Sequence, residues 1–507
     1  MPRTNIDLTA MESALFTELR TLRDDAGLGG RVVMRVAGGW VRDKLLGVTS
    51  KDIDIALSDM TGGEFTRRIG IGGHTIEANP EKSKHLETIK ALIAGQEVDF
   101  VNLRAEDYAD SRIPSMRMGT AAEDARRRDL TINALFYNLD TGLVEDFVGG
   151  LADLEQGILR TPLDPLRTFL DDPLRMLRVL RFHARFPQSQ IDPQVTAALH
   201  HPQAQQAFRH KVSKERSGPE ILGMLAGDAP ASAVRLFLET GLYQNVFAVP
   251  GMAATLGIRQ DQKCEHHCLD LLDHTVEVVR NTNQLMLARD EPKKLRSLMN
   301  LAALFHDFGK MHPDGRQNHP HKPGQMQYAG HEEVSARLAD ESLKAVGIGS
   351  DEREFVIKMV AMHMRPHRHA AGGGWTSRAI GKFLRDTAIP GQESLENLWE
   401  YVFLHAIADS MSKGDDSWHE DVTGKRQAME EFRNFIAHRK SQPADLVKPL
   451  LNGHEIMTLV PELSPGSGFI RDVTAMLLDL QDAGDITNKD QARARVLAWK
   501  LAHHPQA

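Results

Sequence analysis

The spacing of apolar and polar positions divides the chain into two regions near residue 155. Before that point, β-branched runs and alternating segments predict strands, which we place at residues 32–36, 52–57, 97–103 and 143–148. Beyond it, Leu, Ala and Arg recur with helical spacing, as in residues 173–186 and 295–305. The pattern therefore predicts an α+β fold, in which a head with a sheet precedes a long helical body.

The same pattern predicts helices and breaks inside these regions. Residues 1–30 read as a helix that stops in a glycine-rich segment, and residues 41–46 as a second helix between the first two strands. Two segments, 312–330 and 370–375, are rich in Gly and other helix-breaking or polar residues, and we expect them to be irregular.

A glycine pair and an aspartate pair stand on either side of that second helix. Gly38 and Gly39 end the first strand, and Asp52 and Asp54 begin the next one. Because side chains two apart in a strand point to the same face, both carboxylates can hold divalent metal. The glycines allow the backbone to approach phosphate closely. Together they predict metal-dependent nucleotidyl transfer, whereas the aspartates alone are equally compatible with a surface turn.

An arginine-rich motif, EDARRRDLTINALFY, occupies residues 123–137. Arg128 and Asp129, with Asn133 four residues further on, have the donors and acceptors to bind a ribose and a phosphate. Arg126 and Arg127 are compatible with a solvated helix face.

A second arginine-rich motif, FLDDPLRMLRVLRF, occupies residues 169–182. Arg175, Arg178 and Arg181 recur every three residues on one helical stripe, and Asp172 precedes the first of them. A guanidinium group binds base edges and phosphates, and a carboxylate accepts from an exocyclic amine. The motif therefore predicts recognition of a nucleobase without a nucleic-acid template.

These segments together resemble one protein family. GGWVRD with DID, ARRRDLTINALFYN, VEDFVGGLADL and FLDDPLRMLRVLRF follow the order found in class II CCA-adding tRNA nucleotidyltransferases and poly(A) polymerases. The resemblance covers about residues 30–220 and is closer to the eukaryotic-type enzymes. It implies a polymerase beta-like nucleotidyltransferase head with a mixed sheet, which adds CCA to tRNA 3′ ends from CTP and ATP.

The resemblance also implies roles for individual residues. Asp52 and Asp54 match the catalytic pair that binds Mg²⁺, and Asp99 or Glu97 is a candidate third carboxylate. Matched nucleotide contacts are Gly39 and Arg42 for the triphosphate, Arg128 and Asp129 for the ribose 2′-hydroxyl, and Asp172 and Arg175 for the base. The predicted nucleotide site is completed by Gly38, Asp43, Asn133, Arg178 and Arg181. The family's usual Glu-Asp is Asp171-Asp172 here, so the base-reading aspartate is retained.

The helical body carries a second group of chemically active residues. His306-Asp307 ends an apolar helix, and the order His274, His306-Asp307, His331, His363, Asp409 resembles the HD phosphohydrolase superfamily. Imidazole and carboxylate suit transition metals. The resemblance implies that His274, His306, Asp307 and Asp409 bind Ni, Mn, Fe or Zn, and that His331 and His363 extend the site toward a second metal. The alternative is a relic domain that serves only as a scaffold for tRNA.

The two cysteines lie close together, with histidines between them. Cys264 and Cys268 enclose His266 and His267 at a spacing that suits a zinc site on a helix. Two reduced thiols beside a helix start are the favoured alternative, and His267 is either an additional HD ligand or structural.

Length, charge and cysteine content limit the organisation and the location. A chain of 507 residues is too long for a single hydrophobic core, so we expect several domains. They are a catalytic head (1–155), a nucleotide- and RNA-binding neck (156–250), an HD domain (251–420) and a helical tail (421–507).

The net charge is −8, yet residues 160–216 hold ten Lys/Arg against five Asp/Glu, which favours RNA contact there. Two cysteines, no long apolar run and no recognisable leader predict a cytoplasmic protein without a membrane partner. No obligatory protein partner is evident.

Three activities remain open at this level. The head could add all of CCA, or only CC or A, or poly(A) tails, because the base-reading motif is common to these reactions. The HD region could add a phosphohydrolase that acts on a phosphomonoester or a 2′,3′-cyclic phosphate.

Overall fold

The structure is a computed structural model that separates the chain into two compact units. It describes residues 6–50, 52–76, 88–107, 115–253, 255, 257–259, 268–371, 375–388, 398–414, 418–440, 449–461 and 468–503. The first unit comprises residues 1–249 with 345–348, and the second comprises 250–344 with 349–507. The fourfold division into head, neck, HD domain and tail stays a prediction.

The described strands of the first unit lie mostly in its first 145 residues. They are β1 (Met34–Ala37), β2 (Asp54–Leu57), β3 (Gly73–Ile76), β4 (Thr88–Ile93), β5 (Gln96–Asn102), β6 (Arg104–Asp107), β7 (Ser115–Met118), β8 (Phe136–Asn138), β9 (Val144–Glu145), β10 (Ile158–Leu159) and β11 (Gln190–Ile191).

One mixed sheet organises the head. Its strand order is β3-β4-β5-β2-β1-β8-β9. The β2–β5 pair is parallel and places Asp54 opposite Asp99, whereas β1 pairs antiparallel with β2 and β8. The mixed sheet confirms the predicted fold class, and its central parallel pair brings together carboxylates that lie 45 residues apart in the sequence.

The described helices of the first unit begin beside this sheet and continue into a segment that is helical apart from β10 and β11. They are α1 (Ala10–Asp25), α2 (Gly39–Leu45), α3 (Gly62–Arg68), α4 (Ala121–Arg126), α5 (Gly150–Gln156), α6 (Pro165–Asp171), α7 (Arg175–Arg185), α8 (Pro193–His200), α9 (Pro202–Lys211), α10 (Lys214–Leu225), α11 (Pro230–Glu239) and α12 (Leu242–Val246).

Local sequence explains where these elements begin and end. Thr9 and Glu12 form a capping box, which starts α1 at Ala10 rather than at residue 1 as predicted. Pro173 disfavours helical backbone at Asp172, whose φ and ψ are −135° and 96°, and this separates α6 from α7. The core between α1 and the sheet contains Phe16 and Trp40.

The strand predicted at 143–148 is mostly a loop. Only β9 forms, because the Asp146 carboxylate accepts hydrogen bonds from the backbone N–H groups of Val148, Gly149, Gly150 and Leu151 at 2.9–3.0 Å. The VEDFVGG segment is therefore a carboxylate-stabilised turn that leads into α5.

The second unit is helical apart from a short hairpin in its described part. Its elements are α13 (Pro250–Ala253), α14 (Leu271–Ala288), α15 (Lys293–Phe305), β12 (Gln317–Asn318), β13 (Met326–Gln327), α16 (His331–Ala345), α17 (Ser350–Met362), α18 (Arg365–Ala371), α19 (Ser377–Thr387), α20 (Leu398–Ser410), α21 (Trp418–Lys440), α22 (Gly453–Leu459), α23 (Gly468–Ala483) and α24 (Lys489–His503). The last three helices share a separate hydrophobic cluster that includes Val473 and Leu477.

Candidate functional sites

Three carboxylates crowd the centre of the head sheet. Asp54 begins β2, Asp52 lies two residues before it, and Asp99 stands opposite Asp54 on β5. Burial raises the pKa of Asp54, and the negative charges of Asp99 and Asp52 raise it further against the opposing effect of Arg128. Such concentrated negative charge fits Mg²⁺, which prefers carboxylate oxygens. The register favours Asp99 over the exposed Glu97 as the third carboxylate.

The glycine turn beside these carboxylates encloses an arginine. Gly38 has φ +72°, and a Cβ atom there would lie 2.6 Å from Nη1 of Arg128. Arg128 is held by an ion pair with Asp124 at 2.9 Å, and it donates to the carbonyl oxygen of Asn133 at 3.1 Å. A larger residue at position 38 would therefore strain the backbone and collide with the Arg128 guanidinium. The glycine lets this positive charge lie next to the turn.

A buried network connects residues predicted from all three head motifs. Arg42 donates to Asp43 at 2.9 Å and to the side-chain oxygen of Asn133. Asn133 donates to Asp129 at 3.0 Å, and Asp129 pairs with Arg178 at 2.7 Å. Burial opposes ionisation of Asp129, but Arg178 and the hydrogen bonds outweigh it and lower the pKa of Asp129. The network joins the glycine motif, the ribose motif and the base motif in one structure.

The arginine stripe of α7 is engaged by its neighbours. Arg178 and Arg181 both pair with Glu220 of α10, at 3.3 and 2.6 Å. The Arg42 guanidinium lies 5.1 Å from the ring centroid of Phe182, so aromatic rings of α7 also contact the glycine motif. Glu220 is a contact that the sequence motifs did not single out. The roles of these arginines as direct nucleotide contacts stay predictions.

The predicted base-reading pair is divided between two environments. Arg175 donates to the carbonyl oxygens of Arg127 at 2.5 Å and Thr168 at 3.5 Å. The Asp172 carboxylate instead faces Arg216 of α10, at 3.3 Å. The structure thus places a different arginine beside the carboxylate that the motif assigned to base recognition.

The HD residues of the second unit converge in its buried interior. His274 lies 3.2 Å from Asp409 and 3.4 Å from Asp307, and His306 lies 3.2 Å from the same Asp307 oxygen. The ligand atoms of His274, His306 and Asp307 all lie within 4.8 Å of one another. All four side chains are buried, so the predicted primary set forms one half-site.

The other oxygen of Asp307 belongs to a second half-site. His331 Nε2 lies 3.0 Å from Asp307 Oδ1 and 3.3 Å from His363 Nε2. The ligand atoms of Asp307, His331 and His363 also lie within 4.8 Å of one another. Asp307 therefore stands between two potential metal positions, and Lys310 contacts it at 2.7 Å.

Backbone carbonyls orient all four imidazoles. An Nδ1–H that donates to a carbonyl leaves Nε2 with a lone pair, which suits a metal ion. The two Nε2–Nε2 pairs are 3.3 Å apart, and neutral imidazoles arranged in this way would direct their lone pairs toward a shared cation. Nδ1 contacts a carbonyl oxygen in His274 (Ser412, 3.0 Å), His306 (Ala303, 2.8 Å), His331 (Tyr328, 2.6 Å) and His363 (Val360, 2.6 Å).

Electrostatics also fit a cation at this centre. Burial lowers the pKa of His274, but Asp307 and Asp409 outweigh it and raise that pKa to about 9. Burial and the neighbouring His331 hold the pKa of His363 well below its ordinary value. Buried oxygens of Asp307 and Asp409 also lack a hydrogen-bond partner among the described residues. A metal held by these residues would supply a partner for these oxygens and would replace the proton on His274.

A cavity of 1060 Å³ opens onto the HD centre. Asp307, His331 and Asp409 lie in its wall, together with the cations Lys310 and Lys413. A cavity of this size accommodates more than a phosphate group alone, and the cations complement negative charge.

Two histidines near the centre were missed by the motif. His367 lies 3.1 Å from Asp409. His405 is fully buried one helical turn before Asp409, its ring centroid lies 5.4 Å from that of His306, and burial lowers its pKa to about 3. The i, i+4 spacing of His405 and Asp409 on α20 was the available signal. Cys264, His266 and His267 lie outside the described residues, and Cys268 is exposed.

Family comparisons match both regions. The model of the poly A polymerase head domain matches residues 34–160, and the HD domain model matches residues 271–413. These matches define a nucleotidyltransferase head joined to an HD domain, two domain types that are typically metal-dependent.

Individual relatives extend the match along the chain. The mitochondrial CCA tRNA nucleotidyltransferase of Candida glabrata is 33% identical, covering 86% of this chain and 85% of that protein. The CC-adding tRNA nucleotidyltransferase of Thermus thermophilus is 28% identical, covering 93% and 94%. Several other alignments cover less than half of each relative.

A solved structure shares the fold. The CCA-adding enzyme of Bacillus stearothermophilus, in complex with CTP, has a TM-score of 0.62 at 18% identity and covers 99% of this chain and 100% of that one. The chain belongs to the family of CCA-adding tRNA nucleotidyltransferases and poly(A) polymerases, as its motifs predicted. No helix in the described part of the chain is long and apolar enough to span a membrane.

Proposed function

We propose that this protein adds CCA to the 3′ end of tRNA from CTP and ATP without a nucleic-acid template. The observation that carries the proposal is the parallel register that sets Asp54 against Asp99, with Asp52 beside them. The similarity to a CCA tRNA nucleotidyltransferase, which covers 86% of this chain and 85% of that relative, supports tRNA as the substrate.

Different residues of the head have different roles in this reaction. Mg²⁺ bound by Asp52 and Asp54 supplies neutralisation of the triphosphate and activation of the attacking hydroxyl. The RNA 3′-hydroxyl attacks the α-phosphorus, so a new P–O bond forms while the bond to pyrophosphate breaks. Arg128, packed against the Gly38 turn, adds positive charge beside the carboxylates. Asp172 offers an acceptor for the exocyclic amine of cytosine or adenine.

Extension of defined tRNA transcripts tests the proposal. Transcripts that end before CCA and after CC are incubated with each nucleoside triphosphate, beside an unstructured RNA of the same length. We expect addition of C, C and A in order, and only to tRNA. Addition that stops after CC indicates a partial enzyme, the activity named for the Thermus thermophilus relative. Long adenylate tails on unstructured RNA indicate a poly(A) polymerase.

The HD centre supports a second function, metal-dependent hydrolysis of phosphate esters. The four carbonyl-oriented imidazoles around Asp307 favour a loaded centre over a relic scaffold, and Ni, Mn, Fe or Zn is the proposed metal. Metal analysis of the purified protein, with hydrolysis assays on a phosphomonoester and on 2′,3′-cyclic AMP, tests this function. If His306→Ala loses both the metal and the hydrolysis, the function is supported. If the wild-type protein contains no metal and hydrolyses neither substrate, the HD region serves only as a scaffold.

The proposed location of the protein and its proposed contact with tRNA both rest on composition. A cytoplasmic location rests on the low cysteine content, although the Candida glabrata relative is mitochondrial. The basic segment 160–216 is the proposed contact for the tRNA backbone.

A further inference from the structure

We propose that Arg216 is a positioning residue that holds the Asp172 carboxylate in the orientation needed to select C and A over U and G. The inference rests on the proposed template-free addition to tRNA and assigns part of its specificity to the neck helix α10.

The geometry begins with the break between α6 and α7. Asp172 lies in this break, and its Oδ1 accepts a hydrogen bond from the backbone N–H of Leu174 at 3.3 Å. Nη2 of Arg216 lies 3.5 and 3.3 Å from the two carboxylate oxygens. Among the described residues, these are the only partners of the Asp172 side chain. Arg216 therefore supplies the one charged contact that restrains this carboxylate.

Other arginines near the break are engaged elsewhere. Arg175 donates to two backbone carbonyls, and Arg178 and Arg181 pair with Glu220. In the described part of the chain, Arg216 has no side-chain partner besides Asp172. The orientation of Asp172 thus depends on Arg216 more than on the arginine stripe of α7.

The Asp172 carboxylate can distinguish the bases by the groups on their edges. A carboxylate accepts hydrogen bonds and does not donate them, and a guanidinium that pairs with it restrains its orientation. Cytosine N4 and adenine N6 are amines that donate to it, whereas the corresponding O4 of uracil and O6 of guanine are acceptors that it repels. The Asp172 side chain is 29% exposed, so part of the carboxylate remains open to a nucleotide. A carboxylate released from Arg216 can rotate away from the base edge, and the site then discriminates less strongly between an amine and a carbonyl at that position.

Nucleotide discrimination by matched variants tests the inference. Arg216→Ala, Arg216→Gln and Arg216→Lys are compared for kcat and KM with CTP and UTP on tRNA that ends before CCA. The control is Arg235→Ala on α11, since Arg235 is 33% exposed against 35% for Arg216 and also pairs with a carboxylate, that of Glu239 at 3.7 Å. We expect Arg216→Ala and Arg216→Gln to lower the preference for CTP over UTP about tenfold, the scale of one charged hydrogen bond. Arg216→Lys restores part of it, and Arg235→Ala leaves it unchanged.

A double-variant cycle separates positioning through Asp172 from other roles. If Arg216 acts through Asp172, then Arg216→Ala produces no further loss of preference in an Asp172→Ala background. Equal losses of kcat/KM for all four nucleotides would overturn the inference, because they indicate a phosphate contact or a folding defect. Additive losses of preference overturn it as well. A wild type that adds no cytidine contradicts the proposed function itself, whereas an active wild type with unchanged Arg216 variants contradicts only this inference.

Discussion

The head and the HD centre hold their acidic groups in different ways. In the HD centre, Asp307 and Asp409 are buried, and main-chain carbonyls orient the four surrounding imidazoles. In the head, charged side chains hold one another, as in the Asp129–Arg178 and Asp172–Arg216 pairs. Main-chain contacts keep one ligand geometry, whereas the partly exposed Asp172–Arg216 pair can exchange partners when a substrate arrives.

This contrast fits the chemistry proposed for each site. A template-free polymerase must accept two bases in turn while its RNA end grows, so contacts that can rearrange are useful. A hydrolytic metal centre works with one set of ligands throughout, and enclosure protects it. The comparison leads to four predictions, which start with the largest expected effect.

Asp54→Asn should abolish nucleotide addition, by about 10³-fold or more, since it removes a carboxylate from the crowded centre where charge develops in the transition state. Extension of a tRNA transcript with CTP measures the effect. Glu18→Gln on the exposed face of α1 is the control and should retain full activity. The metal content of the HD centre should be unchanged in both variants, and a loss there would contradict the separation of the two sites.

Asp307→Asn should empty both half-sites of the HD centre, because Asp307 faces His274 and His306 through one oxygen and His331 through the other. His363→Ala should remove only the second metal, since the ligand atoms of His363 cluster with those of Asp307 and His331. Elemental analysis of the purified proteins gives the metal-to-protein ratio. A His363 variant that loses all metal would indicate one shared site. Nucleotide addition by Asp307→Asn should stay within about twofold of wild type, as each domain has its own chemistry.

Asp99→Asn and Glu97→Gln should differ by about tenfold or more in kcat for nucleotide addition. Asp99 lies opposite Asp54 in the parallel register, whereas Glu97 is exposed and lies opposite Leu92. Single-turnover extension with CTP compares the two variants. Equal effects would show that the third carboxylate is not selected by strand register.

Gly38→Ala should destabilise the protein more than Gly47→Ala. Both glycines have positive φ, +72° and +74°, so an alanine at either position costs on the order of 1–3 kcal/mol of backbone strain. Only at position 38 does the new Cβ meet Arg128, at 2.6 Å, whereas nothing lies within 4 Å at position 47. Urea unfolding measures the difference, and Gly38→Ala should also lower nucleotide addition. Identical free energies of unfolding for the two variants would show that the close approach of Arg128 does not restrict position 38.

Much of the architecture was predictable from local patterns. The β-branched run before Gly38 and the alternating run around Asp99 predicted strands near β1 and β5, with limits shifted by a few residues. The exception at 143–148 has a specific cause, because Asp146 uses its carboxylate to cap four backbone N–H groups. Alternation of apolar residues carries no information about such a side-chain-to-backbone bond.

The candidate sites were predictable only in part. Motifs identified Asp52, Asp54 and the His306-Asp307 pair, since these residues lie in short, ordered segments. They did not single out Glu220 or His405, because the relevant contacts of both residues are with side chains distant in sequence. Glu220 pairs with Arg181, and the ring of His405 lies beside that of His306. The sequence also left Asp99 and Glu97 as equal candidates, and the parallel pairing with β2 distinguishes them.

The sequence by itself determined the family, the order of sheet-containing head and helical body, and the residue types available for metal and nucleotide. Those properties depend on local periodicity and on motifs whose members are close along the chain. Only the tertiary structure decided that Asp54 faces Asp99, that Asp307 stands between two sets of imidazoles, and that the guanidinium of Arg216 rather than that of Arg175 contacts the Asp172 carboxylate. The reason is physical: strand register and helix packing bring together groups that are distant in sequence, and charges interact through the distance in space that separates them.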